Sequence, residues 1–327
     1  MRLNHVRKLL VGVMAVSLAA CGGGGGVNST PFVPEPPAPP PPETGSSVLP
    51  PEHLGLVSSQ PFAALGVGDQ YSGGDISARS NVTNAAAGDV QFSYDAASNT
   101  YQIALPDFRP GTLANIAYNG TVGQVATSSF SQVTDGESST LQPVHVFLPA
   151  PKAGDTYTYT SFGYWQGDLG TAQNGDDLHS EGYFAYGIPT AAGDMPVTGT
   201  ASYAATITGM DSGAGLSYPI QGDAQLAFDF GAGSLSGWMH PQIIDSFDGF
   251  FVDYGRYDFT QTVYSPGSTT FSGRFVVPNL PDADSFFDGQ FTGPGAQELM
   301  ARFAAPYMLN GQSGTISGIW LGRRTGP

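Results

Sequence analysis

The sequence predicts an all-β protein, and three observations carry this prediction. Glycine is abundant, with 45 residues among 327, and aromatic residues are as frequent as charged ones at 12%. Apolar and polar residues alternate along short runs, which is the pattern of half-buried strands. Glycine, asparagine, aspartate and proline separate these runs and supply the turns. Short strands with regular turn signals are typical of a sandwich or a closed barrel.

The first twenty residues have the parts of an export signal. Arg2, Arg7 and Lys8 form a positive n-region, and residues 9–20 form an apolar run. The run is too short to cross a bilayer core of about 30 Å, which takes roughly 20 apolar residues. We therefore predict a lipoprotein signal peptide over residues 1–20.

The signal ends in Leu-Ala-Ala-Cys, which resembles a bacterial lipobox and makes Cys21 the predicted lipidation site. Cys21 is the only cysteine in the chain, so an internal disulfide is excluded. The alternative is an ordinary cleaved signal with an incidental cysteine. Gly22 stands where an aspartate would favour retention in the inner membrane. The predicted location is therefore the bacterial outer membrane, lipid-anchored through Cys21 and facing the cell surface.

Residues 21–53 are predicted to be a linker. Gly22–Gly26 is a flexible glycine run, and residues 31–42 are mostly proline, which favours an extended polyproline II spacer of ~3.1 Å per residue. Such a composition cannot bury a core. We expect the linker to hold the folded part away from the lipid surface.

The charge balance argues against a nucleic-acid partner. The signal holds three basic residues and no acidic one, so the rest of the chain carries 27 acidic and 8 basic residues, a formal charge of −19. Lys152 is its only lysine. Binding to phosphate backbones requires clustered Lys and Arg. A basic ligand or partner is compatible with this acidity, although a solvated surface is its commonest meaning.

Strands are predicted along the whole region after residue 54. Residues 90–94 and 101–105 alternate and flank a polar turn, so they predict a hairpin. Further strands are predicted over residues 156–165, 182–186, 198–208, 223–230, 234–239, 257–263, 270–276, 286–291, 300–304 and 314–321. Residues 295–300, after Pro294, predict a single helical turn. The short strands favour a water-soluble barrel over a transmembrane one, which needs strands of ~9–11 residues.

One segment, residues 289–299 (Gly-Gln-Phe-Thr-Gly-Pro-Gly-Ala-Gln-Glu-Leu), resembles a motif of the transferrin-binding protein B lipoproteins. In that family a barrel strand ends in Gly-x-Phe-Tyr-Gly-Pro-x-Ala-x-Glu and a short turn leads to the next strand. Residues 157–165 resemble the family's barrel-opening strand, and residues 187–203 and 229–237 resemble further barrel segments. Thr292 replaces the usual tyrosine, and Met300-Ala301 replaces Gly-Gly.

The resemblance implies one lobe of that family: a small β-rich handle domain over residues 54–150, followed by an eight-stranded antiparallel β-barrel over residues 151–327. It also implies that Phe291 and Phe303 fill the barrel. The motif identifies a scaffold, and a shared scaffold does not fix the ligand.

No catalytic constellation is found, and the protein is predicted not to be an enzyme and to need no cofactor. The sequence lacks a Gly-x-Ser-x-Gly elbow, a His-Glu-x-x-His pair and a phosphate-binding loop before Lys152. The histidines after the signal lack metal-ligand spacing, and a haem or zinc site from two of them is unsupported; they are His53, His145, His179 and His240.

Two acidic segments are candidate binding sites. Asp282, Asp284 and Asp288 faintly resemble a calcium loop but lack its terminal bidentate Glu, so solvated turns are favoured. Residues 243–259 interleave acidic and aromatic side chains and predict either core packing or a recognition surface. The acidic residues are Asp245, Asp248, Asp253 and Asp258, and the aromatic ones are Phe247, Phe250, Phe251, Tyr254 and Tyr257.

The leading hypothesis is a surface lipoprotein that binds a protein or small ligand; a role in metal, haem or solute acquisition is implied by the family resemblance. Its partners would be the membrane, through Cys21, and a host or envelope protein or small solute. The alternative is a structural or envelope-interaction lipoprotein without a small-molecule ligand. A third hypothesis, a hydrolase using scattered carboxylates, requires a pair ~5–10 Å apart in one cleft.

Overall fold

The structure is a computed structural model and describes residues 58–72, 79–83, 90–98, 100–106, 108, 111–114, 117–118, 125–132, 142–149, 157–171, 175, 177–213, 218–245 and 250–326. The predicted signal peptide, Cys21 and the predicted linker lie outside these residues. All of the described residues fall in one compact unit. They form two β-sheets and two short 3₁₀ turns.

The first sheet contains ten strands, all of which pair antiparallel. Its hydrogen-bonded order is β5-β4-β3-β1-β10-β9-β8-β7-β6, and β2 pairs beside it with β1. The strands are β1 Gln60–Ser72, β2 Arg79–Thr83, β3 Gln91–Asp95, β4 Thr100–Ala104, β5 Gly111–Ala114, β6 Ala117–Tyr118, β7 Val125–Gln132, β8 Gln142–Pro149, β9 Thr160–Thr171 and β10 Asp177–Gly187.

The predicted hairpin over residues 90–105 is confirmed as β3 and β4. Phe92 pairs with Ile103 and Tyr94 with Tyr101, and all four side chains are buried. The adjacent Gln91 and Gln102 are exposed, as the alternation requires. The rings of Phe92 and Tyr101 stack 5.4 Å apart on the buried face of the hairpin, and this contact stabilises the register of β3 and β4.

The second sheet closes into an eight-stranded antiparallel barrel, which confirms the predicted fold class. The last strand pairs with both its predecessor and the first strand of the barrel, so no edge is left between them. The strands are β11 Thr200–Asp211, β12 Tyr218–Asp229, β13 Ser234–Asp245, β15 Tyr257–Val263, β16 Thr270–Val276, β17 Phe286–Thr292, β18 Glu298–Leu309 and β19 Gln312–Gly326. A ninth strand, β14 Phe250–Asp253, pairs with the end of β13 at the rim.

The division between the sheets differs from the predicted boundary at residue 151. The segment that resembles a barrel-opening strand, residues 157–165, enters β9 and belongs to the first sheet, as does β10. Trp165 explains this placement, because its fully buried ring covers Gly68 of β1 and Gly182 of β10, where an added Cβ would lie 2.5 and 2.4 Å from it. The barrel itself begins at Thr200.

Aromatic side chains fill the barrel. Phe291 and Phe303 are fully buried in its core, as the resemblance implied. At one end of the barrel, the ring of Phe228 contacts Phe291 at 4.8 Å and Tyr264 at 5.2 Å between ring centroids. Edge-to-face contacts of this kind stabilise the core by more than the buried area of the rings alone accounts for, and they favour a single packing arrangement.

The segment with the family-like motif forms the junction between the two sheets. Gly293 follows β17 with φ +72°, and a 3₁₀ turn, Pro294–Ala296, leads to β18. Both carboxylate oxygens of Glu298 accept backbone hydrogen bonds, from Thr158 at 2.6 Å and Tyr159 at 2.9 Å. The helical turn predicted over residues 295–300 is therefore shorter than expected, because Glu298 already pairs with Thr292 as a strand residue.

The sheets pack through an apolar layer on the outer wall of the barrel. Leu65 and Ala185 of the first sheet meet Met300, Ile319 and Leu321 of the barrel. All five side chains are buried. The first sheet thus covers β18 and β19, and leaves the two ends of the barrel to be considered as binding sites.

Candidate binding site at one end of the barrel

A cavity of about 660 Å³ opens at the end of the barrel where β11, β13 and β18 finish and β12 and β19 start. Its volume falls in the range of small-molecule sites, roughly 300–1,000 Å³. Antiparallel strands bring these ends together, since each hairpin returns the chain to the same rim. The cavity is lined by Asp211, Gly213, Tyr218, Ile243, Phe251, Val252, Asp253, Tyr254, Tyr307, Leu309, Asn310 and Gln312.

Asp211, the last residue of β11, is the central polar group of the cavity and is only 5% exposed. Its Oδ2 accepts hydrogen bonds from the hydroxyls of Tyr254 at 2.5 Å and Tyr307 at 3.0 Å. Its Oδ1 accepts the backbone N–H of Gly213 at 2.8 Å. Buried carboxylates are tolerated when several donors satisfy them in this way.

The two tyrosines that hold Asp211 remain neutral over the physiological range. Burial raises the pKa of the Tyr254 hydroxyl, and its hydrogen bond to Asp211 raises that pKa further. The pKa of Tyr307 is raised by burial and by the neighbouring charge of Asp211. Their rings lie 4.9 Å apart at 60°, so each tyrosine fixes the other against the cavity wall.

A third tyrosine lies beside this cluster with its hydroxyl unused. Tyr257 is fully buried, and its hydroxyl has no hydrogen-bond partner among the described residues. Burial raises its pKa, and the neighbouring Tyr307 and Asp211 add to the shift. An unsatisfied buried hydroxyl costs roughly 1–3 kcal/mol. Tyr257 is not among the residues that line the cavity.

The acidic and aromatic segment 243–259 divides between the inside and the outside of the barrel. Tyr254 and Tyr257 point inward and are buried. Phe251 is 57% exposed and lies directly across from Ile244, which is 51% exposed. Phe247 and Asp248 lie outside the described residues. Core packing therefore accounts for Tyr254 and Tyr257, and a recognition surface at the exposed Phe251 stays a prediction.

Two acidic members of that segment, Asp253 and Asp258, are exposed. Asp253 accepts from the backbone of Gly255 at 2.8 Å and pairs with His240 Nε2 at 2.6 Å. The hydrogen bond from Gly255 is the main cause that lowers the pKa of Asp253, and His240 contributes next. A lowered pKa keeps this carboxyl ionised, which is the opposite of what a general acid in a hydrolase requires. Asp258 pairs with Arg256 at 2.7 Å.

The structure does not bring the predicted histidines into a common site. His179 lies on β10 and pairs with Asp168 of β9, whereas His240 lies on β13 and pairs with Asp253. His145 lies on β8, and His53 is outside the described residues. Within the described part of the chain, no cluster of three or more His, Cys, Asp or Glu residues has metal-binding geometry.

The acids that faintly resemble a calcium loop are engaged by arginines. Asp284 accepts from Arg274 at 2.6 Å, and both oxygens of Asp288 accept from Arg302 Nε, at 3.0 and 2.9 Å. Asp282 lies in the turn before β17. These ion pairs account for two of the three carboxylates without a calcium ion.

Sequence reasoning missed Asp211, Tyr218 and Tyr307 as members of a site. The signal was present in β11, where Ala201, Tyr203, Ala205 and Ile207 point inward at every second position. Continuing that alternation past the predicted strand end at residue 208 places Asp211 inside the barrel. Which strand ends then share its rim depends on the closed topology, which the linear pattern does not contain.

No helix in the described part of the chain has the length and apolarity needed to cross a membrane.

Comparisons with known proteins find similarity only among solved structures, since no family model and no curated protein matches the sequence. A double mutant of the vaccine antigen transferrin-binding protein B from Haemophilus parasuis Hp5 is 17% identical, with a TM-score of 0.42 over 80% of this chain and 45% of that one. Isotype 1 of the same protein from serogroup B Neisseria meningitidis is 17% identical, with a TM-score of 0.36 over 80% and 44%.

A third structure, described as a surface lipoprotein, is 14% identical, with a TM-score of 0.36 over 81% of this chain and all of that one. The chain thus spans less than half the length of the two transferrin-binding structures. Those two belong to the lipoproteins that the segment 289–299 resembles.

Proposed function

We propose that this chain is a lipid-anchored outer-membrane lipoprotein that binds a ligand in the open end of its barrel. The cavity at Asp211 carries the proposal, because it combines a ligand-sized volume with a nearly buried carboxyl group and aromatic walls. Convergent polar groups in a largely apolar cavity are the usual composition of a binding site. The lipobox-like end of the signal, at Cys21, supports the anchor.

The anchor and its exposure are tested in cells that carry the full-length protein. We expect labelled palmitate to be incorporated into the wild type and not into Cys21→Ala. Protease added to intact cells should digest the wild-type domain at the surface. Digestion only after permeabilisation would show that the domain faces the periplasm and would contradict surface capture.

Ligand binding is tested with the full-length lipoprotein purified in mild detergent. Molecules that co-purify from growth medium or host fluids are identified by mass spectrometry. Tyr254→Leu, which removes a ring and a hydroxyl from the cavity, should lose them. Tyr264→Phe changes a buried tyrosine at the opposite end of the barrel and serves as the matched control. Equal retention by both variants would exclude the cavity as the site.

A second candidate function, an interaction with a host or envelope protein, is favoured by the exposed pair Ile244 and Phe251. Exposed apolar side chains in contact across a hairpin are enriched at protein interfaces. They stand on the rim of the cavity, so a partner seated there would also cover its mouth. Cross-linking of the wild type to a protein, and its loss in Phe251→Ser, would support this function in place of small-ligand binding.

A further inference from the structure

Strand β14 is an edge strand at the rim of the barrel-end cavity. It pairs antiparallel with the end of β13, and among the described strands it has no partner on its other side. The N–H and C=O groups along such an edge are a template to which another chain can add as a strand. β14 therefore offers main-chain hydrogen-bonding groups that no described strand uses.

The ladder between β13 and β14 identifies the residues whose main chain faces this free edge. The backbone N–H of Tyr254 donates to the carbonyl of Pro241 at 3.3 Å, which continues the register of the ladder by one pair. Hydrogen-bonded and non-hydrogen-bonded pairs alternate along antiparallel strands. Val252 is thus bonded to β13, whereas Phe251 and Asp253 direct their N–H and C=O groups away from it.

The cavity reaches the free edge of β14. It is lined by the four successive residues 251–254, whereas Ile243 is the only described lining residue from β13. Successive side chains of a strand point to opposite faces. A cavity that touches four of them in a row therefore lies along the edge of the strand and not against one face. The rest of its lining comes from β11, β12, β18, β19 and the turns beside them.

The two faces of the β13–β14 hairpin favour a segment with alternating side chains. The inner face carries Ile243, Val252 and Tyr254, which pack in or against the barrel core. The outer face carries Ile244 and Phe251, both more than half exposed. A strand added beside β14 would direct every second side chain into the apolar cavity.

The charge around the hairpin favours a basic segment. Residues 240–259 contain four aspartates, one arginine and one histidine, a formal charge of −3, or −2 with His240 protonated. The pairs of His240 with Asp253 and of Arg256 with Asp258 are included in this balance. An acidic surface speeds the approach of basic partners and opposes that of acidic ones.

Two occupants from this protein itself are disfavoured. A second copy carries the same excess of acidic residues, 27 against 8 basic ones after the predicted signal, and would be repelled. The predicted linker, residues 21–53, contains no lysine or arginine and is rich in proline, which has no N–H to donate to a ladder. A basic segment of another protein meets neither obstacle.

We propose that β14 binds an extended basic segment of a partner protein, which adds to its free edge as a β-strand and places apolar side chains in the barrel-end cavity. The main-chain groups of Phe251 and Asp253 exchange hydrogen bonds with the segment, whose basic side chains alternate with the apolar ones. This inference rests on the proposed function, because it names the class of ligand for the same cavity.

Fluorescence anisotropy with the full-length lipoprotein in a non-ionic detergent tests the proposal with labelled peptides. The probe is acetyl-Lys-Val-Lys-Val-Lys-Val-amide, which is basic and alternates. The same peptide N-methylated at its backbone amides keeps the charge but lacks the N–H donors, so we expect it to bind about tenfold more weakly. The corresponding Glu-Val peptide should bind most weakly.

Two substitutions at one position separate main-chain from side-chain contacts. Phe251→Ala and Phe251→Pro both remove the exposed ring, but only proline removes the outward N–H. We expect Phe251→Pro to weaken binding of the Lys-Val peptide about tenfold beyond Phe251→Ala. Val263→Ser, on β15 and away from the hairpin, should leave the affinity unchanged. The methylated peptide tests the same hydrogen bonds on the wild type if Phe251→Pro does not fold.

Hydrogen exchange measured by mass spectrometry on the full-length protein locates the added strand. The Lys-Val peptide should slow exchange in residues 250–254 and leave β16, which is paired on both sides, unchanged. Peptide binding without protection of residues 250–254 would overturn the proposal.

The remaining outcomes distinguish this inference from the function on which it rests. Equal binding of the methylated and unmethylated peptides, or a preference for the Glu-Val peptide, would overturn it. Dimerisation of the free protein that Phe251→Pro abolishes would assign the edge to a second copy, and protection of residues 250–254 that is lost on deletion of residues 22–53 would assign it to the linker; either result contradicts the proposal. Failure of every peptide, while a co-purified ligand is still lost in Tyr254→Leu, would overturn this inference alone. Failure of both would overturn both.

Discussion

Arg302 of the barrel donates a hydrogen bond from Nη1 to the backbone carbonyl of Gly66 in the first sheet, at 3.0 Å. The arginine is 6% exposed, and its Nε donates to both oxygens of Asp288 on the neighbouring barrel strand. One side chain therefore neutralises a carboxylate on β17 and satisfies a carbonyl on β1. The apolar layer of Leu65, Met300 and Ile319 sets the distance between the two sheets. At that distance the Arg302 side chain reaches the carbonyl of Gly66.

Arg302→Met is expected to lower the free energy of unfolding by about 2–4 kcal/mol, because it leaves Asp288 unpaired and the Gly66 carbonyl without its donor. Adding Asp288→Asn should recover part of this loss, since the stranded charge is removed. Urea unfolding followed by circular dichroism measures both. Arg274→Met, which breaks the exposed pair with Asp284, is the control and should change stability by less than about 0.5 kcal/mol. Equal effects at the two arginines would contradict a coupling role for Arg302.

Gly293→Ala is expected to destabilise the protein more than Gly295→Ala. Both glycines have positive φ. Gly295 (φ 63°, ψ 24°) lies in the left-handed helical region, where an alanine costs about 1 kcal/mol, whereas Gly293 (φ 72°, ψ 169°) lies in a region that is essentially restricted to glycine. Only at Gly293 would the new Cβ also meet a ring, 2.4 Å from Tyr159, whereas Gly295 has open space. Thermal unfolding of the two variants compares them directly. Tyr159→Ala in the Gly293→Ala background should remove the steric part of the loss, and its failure to do so would locate the cost in the backbone alone.

The protein should lose stability steeply above about pH 10, where tyrosines ionise in an unfolded chain. Burial raises the pKa of several folded tyrosines, including that of Tyr183 to about 12, with Glu181 adding to that shift. A raised folded pKa gives stability that is complete below the unfolded pKa and is lost as the pH rises toward the folded one. Each such tyrosine contributes a slope of about 1.4 kcal/mol per pH unit in that window.

Urea unfolding at pH 9 to 12 measures this loss, and absorbance of tyrosinate reports the ionisation. Tyr183→Phe should flatten the slope between pH 10 and 12, since it removes one of the contributing hydroxyls. An unchanged slope would mean that Tyr183 ionises equally easily in the folded and unfolded chains.

Phe251→Ser and Ile244→Ser should leave the free energy of unfolding within about 0.5 kcal/mol of the wild type, because both side chains are more than half exposed. If the rim pair binds a partner, the same variants should lose that partner. Val263→Ser is the control, since Val263 is 62% exposed and lies on β15, away from the paired Ile244 and Phe251. A large loss of stability at Phe251 would instead indicate a structural role.

Strand content was readily predicted from the sequence, and connectivity between distant strands was not. The alternation at Phe92, Tyr94, Tyr101 and Ile103 gave both the strands and their pairing, because the hairpin is local. The pairing of β1 with β10 joins residues more than a hundred positions apart, and no local pattern encodes it. For the same reason β9 was assigned to the barrel, although Trp165 packs into the first sheet.

The candidate site was predicted only in part, because its residues come from strands that are distant in the sequence. Asp253 and Tyr254 lie in the segment 243–259, whose acidic and aromatic composition predicted either core packing or a recognition surface. Asp211 and Tyr307 come from separate strands and join them only after the barrel closes. Composition can mark one segment of a site, but the grouping of strand ends at a rim is a property of the closed topology.

The position of β1 has a consequence for how the chain reaches its fold. β1 pairs with β3 over Gln60–Phe62 and with β10 from Ala63 to Ser72, so it lies in the interior of its sheet. A ribosome or an export channel delivers this strand long before β10, which ends at Gly187. The apolar layer of Leu65 forms later still, because Met300, Ile319 and Leu321 follow β10 in the chain. The first sheet is therefore completed only when the long segment between β1 and β10 closes and the two strands pair. We expect this long-range pairing, more than hairpin formation, to set the folding rate of the sheet.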